Sequence, residues 1–400
     1  MKPCDLSSEN NKNKFVFQLF LIVLLIGFAM SLSAGPREQA KKIHDRLVGI
    51  PPEAAVLDSM AAKISQGDAL GAAYEAMNNK IFYTVALKNF VTPWTNEAQT
   101  VFDDLNDFSA TVIGIIRDDI PFPQILTADI VYVGASDQVS VGYSHTDNLH
   151  YQELEDKQVD LSDPAKFFPV PQSSLTDSQI TPEDTAGVLT TRAFGQAFLS
   201  GGTNRAALRI IGVNHLCRDM EALHDITLTP DRIRQDVTRS PGGDSSIFLN
   251  SCIGCHNGMD PMAQAFAYFN FDEELSRVVH TPGQVQEKYL INANTFPFGY
   301  VTKDNRWDNY WRQGKNAVLG WRGEVSGGFG LKSMGQEVAG SRGFSQCQVA
   351  RVFEKVCFRK PTSIVDHEEV QRITNVFEAE NYSMKRTFAE VATYCMVESL

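Results

Sequence analysis

The feature that most constrains this chain is a pair of cysteines, Cys252 and Cys255, with His256 directly after the second, in the stretch "SCIGCHNGMDPM". C-x-x-C-H is the attachment signature of c-type haem. At the start of a helix, each thiol can reach one vinyl group of the same porphyrin, and the histidine then projects beneath the iron. The motif therefore predicts one haem c, with Cys252 and Cys255 as thioether anchors and His256 as the proximal iron ligand.

Other uses of two nearby thiols compete with this interpretation. A structural zinc site needs four ligands, usually from two paired clusters, and the sequence has no second C-x-x-C and no downstream H-x3–5-H pair. A thioredoxin-like site would need a βαβ context, which the pattern does not indicate. A disulfide within the C-x-x-C stays open as an alternative.

The N-terminus has the pattern of an export signal. Basic residues precede an apolar run at 15–30, and small residues follow at 31–35. This pattern predicts a signal peptide over residues 1–35, or a membrane anchor through residues 15–33 if it is not cleaved. The expected location is the periplasm or cell envelope, where the protein is either soluble or anchored to the inner membrane. Export is also a condition for the maturation of c-type haem.

Charge and cysteine content agree with export. The formal net charge is −12, which disfavours nucleic acid as a partner. Free thiols are not expected to persist in an oxidising compartment. If Cys252 and Cys255 are used chemically, four cysteines beyond the signal remain. We expect Cys357 to pair with Cys395 and Cys217 with Cys347, although sequence alone leaves the other pairings open.

The hydrophobic pattern predicts a mainly α fold, with helical domains around a haem-binding region and long irregular loops. After the N-terminal segment we expect a helical domain at 36–134, an irregular polar segment at 135–183 and the haem-binding domain at 184–343. A C-terminal helical domain follows at 344–400, with helices predicted at 345–359, 366–378 and 383–398.

The segment "CIGCHNGMDPMAQAFAYFNFD" resembles the C-x-x-C-H-x-x-x-D-P-x-G-x-A-x-E-x-F-D segment of exported multi-domain cytochrome c-like proteins first grouped in planctomycetes. The stretches "DDIPFPQILTADIVYVG", "AGVLTTRAFGQAFLSGGTNRAALR" and "GFSQCQVARVFEKVCFRKP" resemble that family more loosely. The chain departs from it at the glycine after Asp-Pro-x, where Ala263 or Gln264 stands, and at a histidine position, where Thr191 stands. The resemblance implies a haem domain flanked by helical domains and says little about substrate.

The ligand on the other face of the iron would separate a carrier from an enzyme, since a haem enzyme leaves that position open. Met334 is the first candidate distal ligand. However, Leu331, Met334 and Val338 also fit one face of a helix, which favours core packing. The rival candidates are His215, His224 and His280.

Within the motif segment, the sequence predicts that Asp260 caps a fresh helix starting at Pro261, after the haem helix has ended. No nucleophile elbow, phosphate loop or H-E-x-x-H motif is present. The expected function is electron transfer through covalent haem to or from an exported redox partner. A haem enzyme with an open sixth position, for example peroxidase-like, and a non-haem binding module are the alternatives.

Overall fold

The computed structural model describes residues 35–175 and 179–397. The predicted signal peptide or anchor lies outside the described residues, apart from residue 35. The fold is mainly α, as predicted, with 55% of residues in helices and 7% in strands. Within the described ranges, none of the helices combines the length and apolar character that a membrane span requires.

Fifteen α-helices occur in the described residues. They are α1 Pro36–Val48, α2 Ala54–Ser65, α3 Ala69–Met77, α4 Lys88–Val91, α5 Asp107–Arg117, α6 Leu149–Asp156, α7 Arg192–Phe198, α8 Arg205–Leu216, α9 Met220–Leu223, α10 Ser245–Ile247, α11 Ile253–Ala263, α12 Gly330–Ala339, α13 Arg342–Cys357, α14 Ile364–Ala379 and α15 Met384–Cys395. Two π-helical turns, Phe82–Leu87 and Phe248–Cys252, run directly into α4 and α11. Short 3-10 helices make up much of the connecting chain.

The six strands form three separate antiparallel pairs. They are β1 Val131–Gly134 with β2 Phe167–Val170, β3 Phe269–Asp272 with β4 Arg277–His280, and β5 Arg306–Asp308 with β6 Gly327–Phe329. Helix α6 and strand β2 lie within the segment 135–183, and β1 ends directly before it. This predicted irregular segment therefore carries some regular structure. Each pair is too small to fold alone and depends on the helices packed beside it.

The N-terminal and C-terminal helices pack together as one bundle, formed by α1, α2, α3, α13, α14 and α15. Ile43, Val352 and Phe388 are at most 2% exposed and belong to one continuous apolar core. Removing such side chains from water stabilises the fold by roughly 1.5–3 kcal/mol each. Segments predicted as separate domains therefore share a core, while the proposed domain boundaries stay predictions.

Two disulfides join helices of this bundle. Cys357 at the end of α13 is bonded to Cys395 at the end of α15, and their Cα atoms are 5.6 Å apart. Cys217, after α8, is bonded to Cys347 on α13 at a Cα separation of 5.3 Å. The predicted pairing is therefore confirmed in the structure. One bond thus joins the ends of the bundle helices α13 and α15, and the other ties the end of α8 to α13.

The helix that carries the cysteine motif, α11, contacts α8, α9, β5 and the short 3-10 helices Pro230–Arg232 and Tyr310–Arg312. A small apolar cluster, separate from the main core, lies under its first turn. The cluster consists of Ile233, Val237 and Phe248, with Cys252 and Phe296 partly buried against it. The motif thus begins in a local cluster and ends, at Met262 and Ala263, in the main core.

Candidate cofactor site

The two cysteines of the motif lie at the junction between a π-helical turn and the helix α11. Cys252 is the last residue of the π-helical turn, and α11 starts at the next residue. Both thiols are partly exposed and outside any disulfide. Burial raises the pKa of the Cys255 thiol, and its Sγ lies 3.5 Å from the Met220 carbonyl oxygen. The sequence predicts the cysteines at a helix start, but the helical stretch already begins at Ser245, where the Asp244 side chain caps it, and continues through the π-helical turn into α11. The two unbonded thiols therefore lie inside a continuous helical stretch.

The imidazole of His256 is held by a buried carboxylate one helical turn further along. Its Nδ1 lies 3.0 Å from Oδ1 of Asp260, and the Asp260 side chain is fully buried. An ionised carboxylate only accepts hydrogen bonds, so Nδ1 carries the proton and donates. Nε2 is then the nitrogen with a free lone pair. Metal-binding histidines are typically oriented by this kind of bond from the second ring nitrogen.

Asp260 is itself fixed by two arginines. Nε of Arg205 donates to Oδ1 over 2.7 Å and its Nη2 donates to Oδ2 over 2.9 Å. The backbone N–H of Arg234 donates to Oδ2 over 3.1 Å. Both guanidinium groups also bind Asp236, Arg205 at 2.8 Å and Arg234 at 2.7 Å. We call Arg205, Arg234, Asp236 and Asp260 the charged quartet; it is electrically neutral as a group.

The quartet sets the ionisation of Asp260. Burial alone would raise the pKa of this carboxyl, but the Arg205 guanidinium and the hydrogen bond from His256 hold it well below its ordinary value. Burial also raises the pKa of Asp236, but Arg234 and Arg205 lower it by more, so the pKa of this carboxyl is below its ordinary value. Asp260 is therefore an anion under all ordinary conditions, and its bond to His256 persists across the neutral pH range.

The prediction that Asp260 caps a new helix was wrong. Helix α11 continues through Pro261 to Ala263, and the Asp260 carboxylate is inside the fold. The reason is tertiary, because Arg205 and Arg234 supply the buried partners that draw the side chain inward. These arginines are distant in sequence from the motif, so no local pattern could have revealed their role.

Two glycines on α11 allow aromatic rings to lie directly on its backbone. A Cβ atom on Gly254, between the two cysteines, would collide with the His224 ring, and one on Gly258 would collide with the Trp311 indole. The backbone N–H of Asp225 donates to the Gly254 carbonyl over 2.9 Å. The motif helix is thus clamped by two rings, and a side chain at either glycine would displace it.

Large apolar side chains are exposed in the segments around the motif. Ile247 and Leu249, just before Cys252, are 45% and 52% exposed, and Ile226, two residues after His224, is 70% exposed. Contiguous apolar patches, unlike single exposed residues, mark ligand or interaction sites. An apolar ligand bound at the two thiols would cover part of this surface.

Met334 lies on α12 and is fully buried, as are Leu331 and Val338 on the same face. This is the helix face that the sequence pattern indicated, and it packs into the main core. Met334 as a distal ligand stays a prediction, and its observed surroundings are those of a core residue.

The three rival histidines occupy different environments. His215 is buried between Trp94 and Phe344, where burial lowers its pKa to about 3. His280 is stacked on Phe269 with ring centroids 4.4 Å apart. His224, by contrast, lies against Gly254 on the motif helix and is partly exposed. The structure therefore brings His224 to the motif.

No protein-family model, curated protein or solved structure matches this chain. Among the described residues, no three His, Cys, Asp or Glu side chains group as a metal-binding cluster. The donor set that is present consists of two adjacent thiols and one imidazole whose Nδ1 is already occupied. That set, with a neighbouring apolar surface, fits a porphyrin held by two thioether bonds and one axial nitrogen.

Proposed function

We propose that this protein is an exported c-type cytochrome that carries one covalently bound haem and transfers electrons. The observation that carries the proposal is the bond between His256 Nδ1 and the buried Asp260 carboxylate, within a C-x-x-C-H motif on α11. This bond leaves Nε2 as the nitrogen that could bind a haem iron. Metal-binding histidines are typically oriented by a carboxylate or carbonyl bound to the second ring nitrogen.

Each residue of the motif has a defined task in this proposal. The Cys252 and Cys255 thiols would form the thioether bonds, and Nε2 of His256 would bind the iron. Bound haem would supply a one-electron couple between ferric and ferrous iron. The partly exposed position of Cys252 and Cys255 leaves them accessible to the maturation machinery before attachment.

The charged quartet would tune and orient the axial ligand. The Asp260 carboxylate fixes the tautomer of His256 and makes its imidazole a stronger electron donor. Because Asp260 is held by Arg205 and by the Arg234 backbone, it is a fixed acceptor, and the ring cannot turn without breaking its hydrogen bond to Asp260. A rigid proximal ligand limits reorganisation when the iron changes its oxidation state.

The proposed partner is another exported redox protein. Ile226, Ile247 and Leu249, in the segments around the motif, are exposed apolar residues that a second protein could contact. The net charge of the chain is −12, which argues against anionic partners such as nucleic acid. Export, with or without the N-terminal anchor, is part of this proposal.

The reduced absorption spectrum, recorded with and without carbon monoxide, tests this function. The full chain should be produced with a c-type maturation system, together with a His256→Ala variant and a control, His367→Ala, at an exposed histidine on α14. Electron transfer predicts a low-spin ferrous spectrum, insensitive to carbon monoxide, in the wild type and control, and its loss in His256→Ala. A high-spin, carbon monoxide-binding wild type would favour the haem enzyme instead. Equal spectra for both variants would refute the role of His256.

A further inference from the structure

Arg239 is a cation without a counter-ion beside the motif. Its guanidinium carbon lies 3.9 Å from the ring centroid of Phe296 and 5.0 Å from that of Phe248. Within the described ranges no carboxylate lies at ion-pair distance from it, and its buried Nε has no hydrogen-bond acceptor. The nearby arginines differ, since Arg205 and Arg234 bind Asp236.

The position of Arg239 relates it to the axial histidine. The Phe248 ring, which contacts the guanidinium, also packs on the His256 imidazole with centroids 5.5 Å apart. Phe248 opens the π-helical turn that ends at Cys252. Arg239, Phe248 and His256 thus form one continuous cluster, and the guanidinium lies one ring beyond the proximal ligand.

Aromatic faces stabilise a guanidinium but do not neutralise it. Cation–π contacts are weaker than a buried pair of opposite charges, and a partly desolvated cation favours a nearby anion. Burial lowers the pKa of Arg239, which reflects the same lack of compensation. The planar guanidinium fork matches a carboxylate, with two parallel N–H···O bonds. A haem carries two propionate carboxylates at the edge of its ring.

We infer that Arg239 is the binding residue for a tetrapyrrole carboxylate, and that it pairs with one propionate of the haem attached at Cys252 and Cys255. The inference rests on the proposed function. In this arrangement Phe248 and Phe296 hold the guanidinium flat, and the propionate supplies the counter-charge that the protein lacks. Arg239 is a positioning and tuning residue, because it acts on the haem edge and not on the iron.

The charge of Arg239 has a predictable effect on the haem potential. An unpaired propionate anion favours ferric over ferrous iron, whereas its neutralisation by a cation removes that preference. Replacing Arg239 with a neutral residue should therefore lower the midpoint potential. We expect about a tenfold shift of the ferric–ferrous equilibrium, which corresponds to roughly 59 mV for a one-electron couple.

The test compares three variants of the full matured chain: Arg239→Gln, Arg239→Lys and a control, Arg37→Gln, which removes the same charge at the start of α1. Covalent haem is measured first by staining a denaturing gel, and the midpoint potential is then measured between pH 5 and 9. All four proteins should retain haem. The potential of Arg239→Gln should fall and depend more steeply on pH, while Arg239→Lys and Arg37→Gln stay close to the wild type.

The outcomes separate this inference from the proposed function. If the wild type carries no covalent haem, the proposed function fails, and the inference fails with it. If haem is attached but Arg239→Gln has the same potential as Arg37→Gln, only the inference is overturned. An equal fall in Arg239→Gln and Arg239→Lys would also overturn it, because the positive charge would then not be responsible.

Discussion

The helical bundle and the motif region are stabilised in different ways. The bundle of α1, α2, α3 and α13–α15 is held by a large apolar core and the disulfide between α13 and α15. The motif region has a much smaller apolar cluster, and its buried centre is the charged quartet. Apolar packing is tolerant of detail, whereas buried ion pairs are stable only when every partner is present. The comparison indicates that the buried ion pairs of the motif region fix the position of Asp260 and, through it, the orientation of His256.

The largest expected effect comes from breaking the quartet. Asp260→Ala would remove one of the two carboxylates that bind Arg205. It would also remove the hydrogen-bond acceptor that orients the His256 ring. We expect the free energy of unfolding to fall by about 3–5 kcal/mol, measured by urea denaturation. The matched variant Asp260→Asn keeps the shape and should lose less. A change under about 1 kcal/mol for Asp260→Ala would show that the quartet is not a stabilising unit.

Substitutions at Met334 test how much apolar core packing contributes to stability. Met334→Ala should destabilise the protein by about 2–5 kcal/mol, because it opens a cavity in the core. Met334→Leu conserves volume and should cost less than about 1.5 kcal/mol in the same denaturation experiment. The ferrous spectrum is the second measurement. If Met334→Leu changed the haem from low spin to high spin, Met334 would be the distal ligand and not only a core residue.

The disulfide at the end of the bundle should contribute slightly less to the free energy of unfolding. Cys357 and Cys395 are separated by 38 residues in the chain. Replacing both by alanine should lower the free energy of unfolding by roughly 3 kcal/mol, mainly because the unfolded chain gains freedom. Haem attachment should be unaffected, since the bond lies in the bundle. Peptide mapping under non-reducing conditions that linked either cysteine elsewhere would contradict this arrangement.

Because His215 is buried, we expect the stability of the protein to depend on pH. Its pKa is about 3 in the folded protein and near 6.5 when unfolded, so the native state resists protonation. Its contribution is complete above pH 6.5 and is lost as pH falls towards 3, by about 1.4 kcal/mol per pH unit. The stability of His215→Gln should therefore fall less between pH 6.5 and 4.5 than that of the wild type. Identical slopes would show that His215 is not buried as the neutral form.

Parts of the structure could be predicted because their signals are local. The periodicity at residues 345–359, 366–378 and 383–398 predicted three helices that the structure contains as α13, α14 and α15. The Cys357–Cys395 pair was expected because both cysteines stand at the ends of these helices, and Cys217–Cys347 was the pair that remained. The helix start predicted at Cys252 was wrong, because the helical stretch already begins at Ser245, after the Asp244 cap.

The role of Asp260 could not be predicted, because it depends on residues brought together by folding. A local pattern makes Asp260 followed by Pro261 a helix start, but the buried Arg205 side chain outweighs that preference. The role proposed for Arg239 could not be predicted either, because its lack of a carboxylate partner is visible only in the tertiary structure. Ionic networks that join distant segments leave no periodic trace in the sequence.

The most direct test of the covalent haem site is the intact mass of the denatured protein. The full chain, produced with a c-type maturation system, should be compared with the double variant Cys252→Ala, Cys255→Ala. The wild type should carry the added mass of one haem after denaturation, and the double variant should carry none. A wild-type mass without haem, or a double variant that still holds haem covalently, would contradict the assignment of Cys252, Cys255 and His256.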